Sequence, residues 1–176
     1  GDRPLVADES GEWLRGDILG LLCSRALQVD ALAVPVSCNT IIAESPEFEA
    51  VSKTRIGSPY VIADFSELAK TYKRIARFEA NGGYLLGSDV SVNGKPLKAL
   101  PTRDAVLPAL MLLSLATTSS IKSLLSQLPQ RFTHSDRIQN FATKQSLSIL
   151  ESGRQTPNKL LELQGLGNLD VLRTDY

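Results

Sequence analysis

The sequence has few of the residues that mark several common classes of protein. Two cysteines, one histidine and one methionine occur among its 176 residues. Cys23 and Cys38 are too few for a disulfide framework, and they fit a reducing compartment in which free cysteine packs as a small hydrophobe. The histidine, His134, is expected to be a surface residue rather than a general base. We therefore expect a cytoplasmic protein.

The sequence also has no excess of either charge and no long hydrophobic run. The 19 basic residues balance 19 acidic residues, so the formal net charge is zero. Because nucleic-acid binding depends largely on positive charge, this balance argues against a nucleic-acid partner. The longest strongly apolar stretch, residues 105–116, is interrupted by Pro108. It is also shorter than the roughly 18 residues of a membrane span, so no membrane partner is expected.

What the chain does contain is an ordinary globular composition with alternating short strands and helices. Hydrophobic residues make up 43% and charged residues 22% of the sequence, as in typical folded domains. The continuous apolar run at residues 31–36 is typical of a buried parallel strand. Further strands are expected at residues 51–56 and 75–79, with a helix from about Ser58 to Lys73 between them. This order predicts a layered α/β domain with a mainly parallel sheet.

A first helix is expected to begin at Asp17, an N-cap residue type that precedes apolar residues at helical spacing.

The later part of the chain is expected to be mostly helical. The pattern further along predicts helices at residues 105–116, 121–128, 143–150 and 158–163. Residues 131–133 are expected to form a short strand.

Polar loops follow three of the predicted strands, at residues 37–39, 57–59 and 79–83. Because parallel strands share one carboxyl edge, we expect these loops to lie close together. Glu79 and Asn81 stand two residues apart, and both can hydrogen-bond vicinal sugar hydroxyls. The glycines that follow allow a ligand to approach closely. The same segment is also typical of a simple β-hairpin turn, and that alternative stays open.

Five short segments occur in an order found in one enzyme family. They are residues 1–3 (GDR), 35–40 (PVSCNT), 54–61 (TRIGSPYV), 78–83 (FEANGG) and 101–105 (PTRDA). Together they resemble the α-D-phosphohexomutases, which include phosphomannomutases and phosphoglucomutases. In that family the first segment ends a metal-binding loop, the fourth is the sugar-recognition loop and the last begins a helix. The second and third resemble a serine/asparagine loop and a Thr-x-x-Gly loop.

The resemblance implies a three-layer α/β sandwich with a mixed, mainly parallel sheet. It also implies that the chain is a fragment of a longer enzyme. Residues 1–16 would end a preceding domain, and residues 17–118 would form the α/β sugar-binding domain. Residues 119–176 would connect to a further C-terminal domain. The fragment alone is expected to be inactive, because the family's phosphoserine and substrate-phosphate loops lie in other domains.

The resemblance also implies roles for individual residues. Asp2 would be a ligand of Mg²⁺, and Arg3 would be catalytic by holding phosphoryl oxygens. The expected substrate-binding residues are Glu79, Asn81, Gly82, Arg55 and Ser58. This chain departs from the family pattern in two places, since Asn81 replaces a serine and Gly83 replaces a histidine. The second departure removes a contact to substrate, which leaves the sugar preference open.

The activity implied by the resemblance is that of an isomerase of carbohydrate metabolism. An enzyme phosphoserine would interconvert hexose 6-phosphate and hexose 1-phosphate through a bisphosphate, with mannose or glucose phosphate as substrate. The partners would be this substrate and the remaining domains of the same chain. The alternative is a non-catalytic α/β domain with a sugar-phosphate-binding or structural role. For the enzyme, we expect Glu79→Ala to cut turnover and leave the fold intact, as for an exposed loop carboxylate.

Overall fold

The computed structural model describes residues 3–56, 58–133 and 139–155, and the side chains of residues 58–63 lie outside that description. The chain divides into two compact units, Gly1–Thr133 and His134–Tyr176. The first unit contains all the strands described below. In the described ranges, no helix is long and apolar enough to cross a membrane.

The first unit is built on a five-stranded sheet with a separate two-stranded hairpin. The strands are β1 (Ala31–Pro35), β2 (Ala50–Thr54), β3 (Ile75–Phe78), β4 (Tyr84–Leu86), β5 (Val90–Val92), β6 (Lys95–Leu97) and β7 (Leu100–Asp104). The helices are α1 (Gly16–Ala26), a 3-10 helix (Thr40–Ile42), α2 (Ser58–Thr71), α3 (Val106–Leu115), α4 (Ile121–Ser126) and, in the second unit, α5 (Thr143–Gln155).

The sheet order is β2-β1-β3-β4-β7. β1 pairs in parallel with β2 and with β3, whereas β4 pairs antiparallel with β3 and with β7. Strand β7 therefore runs in the same direction as the first three strands, and β4 alone runs the other way. This arrangement confirms the mixed, mainly parallel sheet that was predicted.

The helices cover both faces of the sheet, and the alternation of side chains along β1 shows how. Leu32 and Val34 join the apolar cluster that contains Leu21 of α1. Ala31 and Ala33 instead pack in the cluster that contains Leu68 of α2. Because successive side chains of a strand point to opposite faces, α1 and α2 lie on opposite sides of the sheet. Three layers result, as the resemblance implied.

Helix α1 packs directly on the central strand and on α3. A Cβ atom at Gly20 would overlap the ring of Phe78, so glycine is required for this close approach. Leu19 and Leu22 form a second cluster with Leu112 of α3. These contacts fix the position of α1 over the end of β3, next to the turn that follows this strand.

Several details of the predicted secondary structure differ from the structure. Helix α1 begins at Gly16 with Arg15 as its N-cap residue, so Asp17 lies inside the first turn and is not the cap. Residues 131–133 form no strand. The hairpin of β5 and β6, and strand β7, were not predicted, because they are short, largely exposed and contain proline. The helix expected at residues 158–163 lies outside the described residues, as does His134.

Candidate functional site

A cleft opens at the carboxyl edge of the parallel strands. In register, Pro35 of β1 pairs with Thr54 of β2, and Ala33 pairs with Arg77 of β3. The segments that follow these strands therefore leave the sheet at the same edge, as expected. The cleft has a cavity volume of about 330 Å³ and is lined by Pro35, Ser37, Ile56, Glu79, Ala80, Asn81 and Arg103. Gly57, also expected here, lies outside the described residues.

The segment from Glu79 to Gly83 is a tight hairpin turn between β3 and β4. The Glu79 N–H donates to the Gly83 carbonyl at 3.1 Å, and the Gly82 N–H donates to the Glu79 carbonyl at 2.9 Å. Gly82 has a φ of +87°, in the left-handed region that favours glycine. The hairpin geometry is thus present. It also presents the side chains of Glu79 and Asn81 to the cleft.

The carboxylate of Glu79 is the centre of the polar network in the cleft. Its Oε1 accepts from the Arg77 guanidinium at 3.0 Å, and its Oε2 accepts from the Asn81 amide at 3.0 Å and from the Arg103 guanidinium at 3.3 Å. Only 9% of the residue is exposed. The expectation of an exposed loop carboxylate is therefore wrong, because two arginines draw the side chain into the protein.

Arg77 is a buried cation beneath this network. It is 1% exposed, and it projects from β3. Burial lowers the pKa of its guanidinium, whereas the charge of Glu79 and its hydrogen bond raise it. Two guanidiniums, those of Arg77 and Arg103, thus contact the single carboxylate of Glu79. The Arg103 side chain is 31% exposed, so this member of the network is open to the cleft.

The turn is braced from two sides. The Asn81 side chain donates to Glu79 and accepts from the Gly83 N–H at 3.0 Å, so its orientation is fixed. The first residue of α1 lies against the same turn, since a Cβ atom at Gly16 would overlap the Gly82 nitrogen. The backbone of α1 thus sets the position of the turn that carries Glu79 and Asn81.

Asp17 connects α1 to the loop after β1. The side chain is fully buried and accepts from the Arg15 guanidinium at 3.1 and 3.0 Å. It also accepts from the Asn39 N–H at 2.8 Å. Sequence reasoning treated Asp17 only as a helix cap. A buried carboxylate that binds backbone from another loop requires tertiary contacts that no local pattern reveals.

Neither cysteine is suited to nucleophilic catalysis. Burial raises the pKa of Cys23 to about 12. Burial, together with the charge of Asp17, also raises the pKa of the Cys38 thiol. A thiol nucleophile requires a depressed pKa. The cysteines therefore pack as small hydrophobes, as expected.

The other predicted site residues are less closely associated with the cleft. Arg55 follows β2 and is exposed, and Ser58 begins α2 with its side chain outside the described residues. Gly82 is buried in the turn beside Pro4. Arg3 is exposed near the start of the chain, and Asp2 lies outside the described residues.

Arg103 is the cleft residue that sequence reasoning missed. It lies in β7, and its guanidinium reaches Glu79 across the adjacent strand β4. The sequence pattern indicated residues 101–105 only as the start of a helix. The sequence offered only the basic side chain as an indication. Glu79, which this side chain contacts, is 24 positions away in the sequence.

The described residues do not form a magnesium site. No group of three or more His, Cys, Asp or Glu side chains lies close enough to hold a metal ion in the described ranges. Mg²⁺ requires several oxygen ligands at near-octahedral geometry. The expected Mg²⁺ ligand, Asp2, lies outside the described residues. The described residues supply no other set of ligands.

Comparison with known proteins points to one superfamily. No family model matches the chain. It is 53% identical over 175 residues to a phosphomannomutase of Salmonella muenchen, covering 99% of this chain and 37% of that protein. It is 37% identical over 185 residues to a phosphomannomutase of Sinorhizobium fredii (strain NBRC 101917 / NGR234), covering 99% of this chain and 39% of that protein. The chain thus spans less than two fifths of the length of these curated relatives.

A solved structure agrees with the fold. It comes from Thermus thermophilus and was provisionally identified as a phosphomannomutase. The match has a TM-score of 0.56 at 17% identity and covers 72% of this chain and 28% of that one. At this identity the likeness concerns the fold alone.

The fold and the sequence matches, which span almost all of this chain, define the class of protein. The chain belongs to the α-D-phosphohexomutase superfamily and corresponds to a segment of its curated relatives. Both of those relatives are named phosphomannomutase.

Proposed function

We propose that this chain is the sugar-recognising α/β part of a phosphomannomutase-type enzyme. The whole enzyme would interconvert hexose 6-phosphate and hexose 1-phosphate, with mannose or glucose phosphate as substrate. The observation that carries this proposal is the Glu79 carboxylate, which is held by Arg77, Asn81 and Arg103 at the rim of the cleft. The domain limits proposed above, at residues 16 and 118, belong to the same proposal.

The role of Glu79 would be to orient sugar hydroxyls. Each carboxylate oxygen has two lone pairs. Oε2 already accepts from Asn81 and Arg103, whereas Oε1 accepts from Arg77 and keeps one lone pair for a substrate hydroxyl. Because Arg77 and Asn81 fix the carboxylate, little reorganisation is needed when the sugar binds. A mutase must hold its sugar in two orientations, and a preorganised acceptor serves both of them.

The phosphoryl chemistry would involve parts beyond the described residues. An enzyme phosphoserine would transfer its phosphoryl group to the hexose phosphate, and the resulting bisphosphate would return its other phosphoryl group to the serine. Arg3 would bind phosphoryl oxygens through its planar guanidinium. Arg55 and Ser58 would border the same cleft. Asp2 would be one ligand of Mg²⁺, and the described residues supply no further ligand set.

The test is an assay of the full-length gene product with mannose 1-phosphate and with glucose 1-phosphate. The variant is Glu79→Gln, which keeps the shape of the side chain and removes its charge. Loss of sugar orientation is expected to reduce kcat/KM by about 100-fold. Circular dichroism and thermal unfolding of the same samples report whether the fold is retained.

Glu47→Gln is the matched control. Glu47 also pairs with an arginine, Arg25, but neither residue lines the cleft. The control should keep the activity of the parent protein. Full activity of Glu79→Gln would contradict the role of Glu79. A full-length protein that binds hexose phosphate but turns over none of it would instead support a non-catalytic sugar-phosphate-binding domain.

A further inference from the structure

We propose that Asp17 is a positioning residue of the cleft, because it holds the loop that carries Ser37 on the same helix start that supports the Glu79 turn. This inference rests on the proposed function and names a further residue on which substrate binding depends. Asp17 is fully buried, so it does not touch a ligand itself. It would act through the backbone of the loops that line the cleft.

The loop after β1 is held at its end by Asp17. The Asn39 N–H donates to Oδ2 of Asp17 at 2.8 Å, and the Asn39 side chain caps the 3-10 helix that follows. Within the loop, the Cys38 N–H donates to the Pro35 carbonyl at 3.0 Å, which makes it a tight turn. Ser37 lies in this turn, is exposed and lines the cleft. The attachment of Asn39 to Asp17 therefore limits the positions that Ser37 can take.

The turn that carries Glu79 rests on the neighbouring residue of the same helix. A Cβ atom at Gly16 would lie 2.0 Å from the Gly82 nitrogen, so the helix backbone lies directly against the turn. Gly16 and Asp17 are consecutive residues in the first turn of α1. That first turn thus contacts both loops and fixes one relative to the other.

The hydrogen bonds of Asp17 require a carboxylate. Its Oδ1 accepts from the Arg15 Nε at 3.1 Å and from the Ile18 N–H at 3.0 Å. Its Oδ2 accepts from a second guanidinium nitrogen of Arg15 at 3.0 Å and from the Asn39 N–H. An amide of the same shape has one oxygen and an NH2 group, so one side would face donors whichever way it turned. Even with its oxygen toward Asn39, the neutral amide would make the weaker hydrogen bond.

A purely structural role is the competing explanation. Asp17 could contribute only to the stability of the fold. Its loss would then lower the free energy of unfolding, but the folded molecules would bind substrate as before. If Asp17 positions the loop, the folded molecules bind less tightly, and the size of the loss depends on Ser37.

The experiment is a double-mutant cycle in the full-length gene product, with Asp17→Asn, Ser37→Ala and the two combined. Calorimetry measures the Kd of mannose 1-phosphate at a temperature at which circular dichroism shows each variant to be folded. Asp17→Asn is expected to raise the Kd by about 10-fold. Ser37→Ala should raise it by about 3- to 10-fold, as for the loss of one hydrogen bond. In the combined variant Ser37→Ala should add less than about twofold, because its contact is already lost.

Asp30→Asn is the matched control. The Asp30 carboxylate also accepts from an arginine guanidinium and from a backbone N–H, but it lies before β1, at the opposite edge of the sheet. This control should leave the Kd unchanged and keep the full effect of Ser37→Ala. Arg15→Lys is a milder second variant, since lysine keeps the positive charge beside Asp17 but lacks the planar fork. It should show the same dependence on Ser37 with a smaller loss, so the cycle is complete even where Asp17→Asn does not fold.

Three results would overturn the positioning role. Additive effects of Asp17→Asn and Ser37→Ala would mean that Asp17 does not act through this loop. An unchanged Kd in folded Asp17→Asn would make its role purely structural, and an unchanged Kd in Ser37→Ala would remove the loop from binding. Absence of mutase turnover in a parent protein that binds mannose 1-phosphate contradicts the proposed function but leaves this cycle intact, so the two failures are distinguishable.

Discussion

The two edges of the sheet carry similar ion pairs but differ in how deeply the arginine is buried. At the amino edge, Asp30 precedes β1 and Arg74 precedes β3. The Asp30 carboxylate accepts from the Arg74 Nε and from the Arg74 backbone N–H, both at 2.9 Å. At the carboxyl edge, Glu79 accepts from two arginines, one of which is buried.

Neither the cavity size nor the charge of the lining residues separates the two edges, but the burial of the paired arginine does. The amino-edge cavity is about 480 Å³ and the carboxyl-edge cavity about 330 Å³. The charged residues that line the larger cavity are Asp30, Glu49, Lys73 and Arg74, so their charges cancel. The charged residues that line the smaller cavity are Glu79 and Arg103, so their charges cancel as well. The fully buried Arg77 beneath the carboxylate distinguishes the carboxyl edge from the amino edge, where the Arg74 side chain is 42% exposed.

The largest expected difference between the edges is in stability. Arg77 is 1% exposed, whereas the Arg74 side chain is 42% exposed and can be hydrated. Removing one partner of a buried ion pair costs about 3–5 kcal/mol, and Arg77 has a further contact besides Glu79, so Glu79→Ala should lower the free energy of unfolding by up to that amount. Asp30→Ala should cost about 1 kcal/mol. Urea unfolding of both variants measures the difference, and equal losses would show that burial of Arg77 does not distinguish the edges.

A smaller effect is expected from Gly16→Ala, where α1 meets the carboxyl edge. The new Cβ atom would overlap the Gly82 nitrogen, and backbone cannot move aside as a side chain can. Overpacking should cost about 1–3 kcal/mol, and the gain in helix propensity of about 1 kcal/mol offsets only part of it. Amide NMR shifts should change at Asn81 and Gly82 and not at Asp30. Unchanged shifts at the turn would mean that α1 does not support it.

The smallest effect is a pH dependence at the amino edge. The hydrogen bond from the Arg74 guanidinium holds the pKa of Asp30 below 3.8. Because this pKa is lower in the folded chain, the stability it contributes is present above pH 3.8 and is lost as the pH falls through the folded value. The destabilisation by Asp30→Asn should therefore shrink as the pH falls below 3.8 in urea unfolding. The control is Glu67→Gln on the surface, which should change the free energy of unfolding little at neutral pH. A destabilisation by Asp30→Asn that does not change with pH would contradict the link between the pKa of Asp30 and stability.

Local patterns predicted most of the central elements. The apolar run at residues 31–36 became β1, because a strand covered on both faces must be apolar throughout. The hairpin at residues 79–83 was open to prediction because glycine at a positive φ is a local requirement. The short edge elements β5, β6 and β7 were not predicted, since their few exposed residues carry no periodic signal.

The sequence by itself determined the layered α/β class, the shared edge for the polar loops and the choice of Glu79 and Asn81 as candidates. These follow from periodicity and from the chemistry of single side chains. Only the tertiary structure decided that Glu79 is buried, that Arg77 and Arg103 face it and that Gly16 supports its turn. The physical reason is distance along the chain. Strand β7 and helix α1 reach the turn through sheet pairing and close packing, and those contacts leave no mark within a local window of sequence.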